Sequence, residues 1–82
     1  MPHHKIENIS PLKDYTLAVE FSDGTTRIYD VKALFEKWPI FKELKNHNLF
    51  SNVKIDIGGC GISWNDDIDI SSEELFYNGK EQ

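Results

Sequence analysis

Apolar and polar residues alternate from Tyr15 to Phe21, with Tyr15, Leu17, Val19 and Phe21 separated by Thr16, Ala18 and Glu20. A period of two marks a strand with one buried face. Asp23-Gly24 follows at once, a strong hairpin signal, because both central residues of the favoured two-residue turn adopt positive φ. Residues 25–30 then read as the return strand. Such a turn sets Ser22 opposite Thr25, Phe21 opposite Thr26, Glu20 opposite Arg27 and Val19 opposite Ile28. The apolar pairs then share one face and the Glu20–Arg27 pair the other. Residues 5–10 fit a preceding strand, ended by Pro11, which has no N–H to give to a ladder.

The spacing changes after Asp30, a residue suited to cap a helix. Val31, Leu34, Phe35 and Trp38 recur at helical intervals. Pro39 interrupts that helix and suits the first turn of a second one through Lys45, with Ile40, Phe41 and Leu44 on its inner face. Asn46-His47-Asn48 reads as a polar turn, and Leu49 and Phe50 as an apolar plug. Alternation returns at Val53, Ile55 and Ile57, a fourth strand. Gly58-Gly59-Cys60-Gly61 reads as a flexible turn. Ile62 and Trp64 begin a fifth strand, extended by Ile68 and Ile70 beyond Asn65-Asp66-Asp67. Ser71-Ser72-Glu73-Glu74 matches a capping box, with Ile70 and Leu75 placed for a hydrophobic staple. Gly79 is a suitable stop, and the last three residues are expected to fray. The whole predicts a single α+β domain. It has a mostly antiparallel sheet of about five strands, built as a three-stranded meander, two helices, a second hairpin and a short C-terminal helix.

Composition bounds what such a domain can do. With 82 residues, the chain buries only about 60–65% of its unfolded surface, so a deep, dry active site is hard to build. The net charge of −5 argues against general affinity for nucleic acid or an anionic membrane. Residues 32–54 nevertheless carry five Lys against two acids, and residues 65–82 six acids against one Lys, an asymmetry able to steer a partner. The single cysteine, Cys60, implies a reducing compartment. The N-terminal residues show no signal-peptide pattern and no segment spans a membrane. A cytoplasmic protein is expected.

No pattern points to catalysis, and no cofactor is expected. His3, His4 and His47 lack the spacing of a zinc site. Cys60 among glycines has backbone donors around it, but no pattern supplies a base. The glycine run joins two strands and lacks the Lys of a phosphate loop. Asn65-x-Asp67-x-Asp69 imitates the start of a calcium loop, but Ile70 and Phe76 stand where Gly and Glu are needed. Asp66, Asp67 and Asp69 therefore read as a solvated turn. Trp38 and Trp64 read as packing residues, and either becomes a partner-binding anchor if it stands exposed. Lys42 and Lys45, three apart, can share one helix face.

An ordered set of residues resembles the bacterial domain-of-unknown-function family 2442. It comprises Tyr15-x-Leu17-x-Val19-x-Phe21-x-Asp23-Gly24, Tyr29-Asp30-Val31, Phe41-x-x-Leu44, Phe50-x-x-Val53-x-Ile55-Asp56, Ile62-x-Trp64-Asn65, Asp69-Ile70 and Glu74-Leu75-Phe76. The resemblance covers residues 5 to about 79. It implies a small α+β fold with no established activity and no catalytic residues to carry over. Relatives sometimes append a helix-turn-helix domain, and their genes often neighbour those of another small family, which suggests a toxin–antitoxin-like pairing. The present sequence departs in two respects. No appended DNA-binding domain is recognisable, and Asn65 and Asp67 stand where many relatives have proline and glycine.

The expectation is a protein-interaction module, the antitoxin-like member of a two-protein pair, whose partner is another small protein. Trp38, Trp64, Lys42 and Lys45 are its candidate contact residues. The alternative is a small-ligand or nucleic-acid binder using Lys32, Lys37, Lys42 and Lys45. An enzyme, with Cys60 or with His47 and an acid in a pocket, ranks third. A homodimer covering exposed sheet edges is also expected.

Overall fold

Leu17, Val19 and Phe21 turn inward together and are almost fully removed from water. Around that stripe the chain lays β1 (Ile6–Pro11), β2 (Thr16–Phe21) and β3 (Thr26–Asp30) as an antiparallel meander. The computed structural model describes residues 4–82, and His3 lies outside them.

The hairpin register is one residue away from the expected one. Val19 stands opposite Arg27, Leu17 opposite Tyr29 and Glu20 opposite Thr26. The loop has three residues rather than two. Gly24 N–H donates to Phe21 O at 3.0 Å and Phe21 N–H donates to Thr25 O at 2.9 Å. Gly24 alone takes positive φ, at +91°, and Asp23 is spared the left-handed region that a two-residue turn imposes on it. Asp23 instead accepts from the Thr25 hydroxyl and N–H at 2.7 and 2.9 Å, which holds its carboxyl below the ordinary value of 3.8. Because side chains alternate, the slip exchanges the faces of β3. Tyr29 goes into the core and Arg27 turns toward the helix that covers it, while Ile28 faces the other way.

The chain after Asp30 is wound more tightly than expected. Val31–Leu34 and Pro39–Lys45 are 3-10 helices, the first capped by Asp30 Oδ1 on Lys32 N–H at 3.0 Å. In a 3-10 helix residues three apart eclipse. Phe41 and Leu44 therefore form a narrow buried stripe, and Ile40, expected on that stripe, falls outside it. The polar turn is also helical. Asn46 Oδ1 accepts from Asn48 and Leu49 N–H and caps α1 (His47–Phe50), which drives Phe50 into the core.

The single sheet of about five strands expected from the pattern is instead two antiparallel sheets with seven strands among the described residues. The second sheet comprises β4 (Lys54–Ile55), β5 (Gly61–Asn65) and β6 (Ile68–Ser71). Residues 62–70, expected as one strand, fold back on themselves. Asn65 Oδ1 accepts from Asp67 and Ile68 N–H at 2.9 and 3.0 Å and closes a tight turn between β5 and β6. Then α2 (Ser72–Asn78) begins with Ser71 Oγ accepting from Glu74 N–H at 3.1 Å. Beyond Gly79, the residues expected to fray form β7 (Lys80–Glu81), which pairs with β3 and gives the first sheet the order β1-β2-β3-β7.

One apolar core serves both sheets. Trp64, 5% exposed, donates its Nε1–H to Phe50 O at 2.9 Å. Tyr15, expected within the second strand, precedes it in a turn at φ 58°. From there it sets its ring edge-on to Phe35 and Phe50.

Candidate functional site

A groove follows the seam where residues 31–41 meet β6 and α2. Two cavities make it up, of about 500 and 450 Å³. Leu34, Lys37 and Glu74 line both.

The first cavity contains a hydrogen-bonded pair. Tyr29 donates its hydroxyl to Glu74 Oε2 at 2.7 Å, and Asn78 Nδ2 donates to Oε1 of the same carboxylate at 2.9 Å. Glu74 thus turns its side chain to Tyr29 and Asn78 and not back to the helix start, so only half of the expected capping box forms. Burial, followed by the hydrogen bond and charge of Glu74, pushes the Tyr29 hydroxyl well above its ordinary value of 10.0. A tyrosine held protonated is a donor and a brace, not a base. Since the folded value is the higher one, the stabilisation is complete below pH about 10 and is lost as pH rises beyond it. Denaturation midpoints are expected to fall above pH about 10. Tyr29→Phe is expected to flatten that fall, and an unchanged alkaline slope in the variant would contradict the assignment.

The second cavity opens at Trp38, a residue 56% exposed. The sequence spacing placed Trp38 on a buried helix face. Pro39 works against this, because its ring crowds the preceding residue and disfavours the helical region there. Trp38 adopts φ −132°, ψ 94°, and the extended backbone swings the ring out of the Leu34–Phe35 stripe. Ile40, 40% exposed, stands beside it on the same rim. Across the groove are Asp67, from the β5–β6 turn, and Asp69, on β6.

The other candidate residues scatter. Trp64 is inside the core and touches neither cavity. Lys42 and Lys45 fall on one side of the 3-10 helix, since residues three apart eclipse. Lys45 Nζ lies 5.7 Å from the Phe35 ring centroid. Lys32 Nζ pairs with Asp30 Oδ1 at 3.1 Å and also donates to Asp14 O. Cys60 is exposed at the end of the glycine turn, and Asp66 is exposed in the β5–β6 turn. Among the described residues no group of three or more His, Cys, Asp and Glu side chains converges on a metal-sized space.

A second cluster escaped the sequence reading. The His4 ring stacks on Phe76 with centroids 3.6 Å apart and planes 5° from parallel. Arg27 Cζ sits 4.1 Å from the same centroid. At those distances the two cannot share a face, so Phe76 lies between them. His4 Nε2 is also 3.1 Å from the Tyr77 hydroxyl. No local signal announces a contact that joins the chain's beginning to its last helix.

A family model described as "Protein of unknown function (DUF2442)" matches residues 6–81. No curated protein and no solved structure matches the chain.

Proposed function

The chain belongs to the DUF2442 family, proteins of unknown function, and we propose that it is a non-catalytic protein-interaction module, the antitoxin-like member of a two-protein pair. The observation that carries the reading is the exposed Trp38 with Ile40 beside it on the rim of an open groove. A large apolar side chain left half in water gains free energy when covered, about 25 cal/mol per Å² of apolar surface. Tryptophan in such a position is the residue type that most often dominates binding at interfaces. The tyrosine–glutamate pair beneath supports the groove wall without being poised for chemistry.

The test is co-expression with the small protein encoded by the adjacent gene, followed by sizing of the complex. A stoichiometric complex is expected at micromolar concentration. Trp38→Ala is expected to weaken it about thirtyfold or more while leaving the circular dichroism and melting of the isolated domain nearly unchanged. The absence of any stoichiometric complex would reject the reading. The nucleic-acid alternative draws on Lys32, Lys37, Lys42 and Lys45, but Lys32 and Lys45 already have intramolecular partners and Lys37 faces a groove with carboxylates.

A further inference from the structure

We infer that the occupant of the Trp38 groove is a basic amphipathic segment, in which an apolar side chain covers Trp38 and Ile40 while Lys or Arg side chains reach Asp67 and Asp69. The inference rests on the interaction reading above and deepens it by specifying the partner's chemistry.

The argument from charge is one of desolvation. Asp67, Asp69 and Glu74 line the same cavity as Trp38 and Ile40. None of the three forms an ion pair with a Lys, Arg or His among the described residues. Glu74 is held by Tyr29 and Asn78, whereas Asp67 and Asp69 rely on water. Lys37 is the one cationic side chain lining this cavity. A wholly apolar or an acidic segment laid over Trp38 would strip water from these carboxylates with nothing in return, and buried charge without a partner is strongly unfavourable. A segment carrying cations removes that penalty, and opposite charge across a rim also raises the rate of encounter. The residues from 65 onward are rich in acids, so the surrounding field favours the same sign of partner.

The experiment uses the full chain and three synthetic peptides of equal length and equal leucine content, with lysine, glutamate or serine at every other position. Binding is followed by calorimetry and by Trp38 emission, with Trp38→Phe identifying the part that Trp64 contributes. The leucine–lysine peptide is expected to bind with a blue shift of Trp38, the serine peptide more weakly and the glutamate peptide not at all. Asp67→Asn combined with Asp69→Asn is expected to reduce the lysine peptide's affinity about tenfold and to flatten its salt dependence, and Trp38→Ala is expected to abolish the binding. Equal binding of the three peptides, lysine-peptide binding indifferent to the double substitution, or no binding would overturn the inference. The two readings fail separately. An adjacent-gene partner that needs Trp38 but tolerates the double substitution leaves the interaction module standing and removes the basic segment. Charge-dependent peptide binding without any natural complex does the reverse.

Discussion

Replacing Trp64 with alanine is expected to bring the domain to the margin of stability, with a substantial unfolded fraction at room temperature. Trp64 fills the space between Phe50 and Phe41, with ring centroids 6.2 and 6.4 Å away. It also supplies a buried hydrogen bond to the Phe50 carbonyl. Truncating a buried aromatic to alanine costs about 3–5 kcal/mol, and the total stability of so small a chain is about 5 kcal/mol. Trp64→Phe separates the two contributions. It keeps most of the apolar volume but removes the donor from Phe50 O, at a cost of about 1–3 kcal/mol. Urea denaturation of the three proteins gives the comparison. A Trp64→Ala protein with a near-native midpoint would mean that the core does not depend on this residue.

Gly59→Ala is expected to cost about 3 kcal/mol or more, and Gly24→Ala about 1 kcal/mol. Both glycines have positive φ, +70° and +91°, so both substitutions meet the left-handed penalty. Their surroundings differ. A Cβ on Gly59 would lie 2.7 Å from Ile6 O and 2.9 Å from Ile6 N, whereas one on Gly24 meets nothing within 4 Å. The glycine turn is where the second sheet touches the start of β1. The added carbon pushes on backbone, which cannot step aside as a flexible side chain does. Equal denaturation midpoints for the two variants would show that the turn and β1 are not held in contact.

The alternation from residue 17 to residue 21 revealed a real buried stripe, because side-chain direction in a strand depends only on parity. The register across the hairpin was not legible in the same way. It depends on whether Ser22 belongs to the strand or to the loop, and Asp23-Gly24 is compatible with both. The same limit explains Trp38. Its spacing from Leu34 and Phe35 suits a continuous helix, but the proline that follows forces an extended residue and the ring points outward. The polar turn at Asp66 and Asp67 was legible, but not that it reverses the chain, because Asn65 Oδ1 rather than a glycine closes the β5–β6 hairpin. The groove itself is a tertiary object. Lys37 lies in the turn between the two 3-10 helices, Asp69 on β6 and Glu74 on α2, and nothing in their sequence separation brings the three together. β7 had no signal at all, being two residues whose pairing is decided by where α2 ends.

The placement of Arg27 has a consequence for synthesis. Its guanidinium faces the side of β3 that α2 covers, against Phe76 and within 3.7 Å of Glu81. A nascent chain growing at about 5–20 residues per second presents Arg27 roughly 3–10 s before Glu81 exists. During that interval the meander has a cation on the face that will become interior, with no ring or carboxylate to receive it. The face of the meander that carries Arg27 therefore stays open to water until Phe76 and Glu81 have been added, and its closure waits for them.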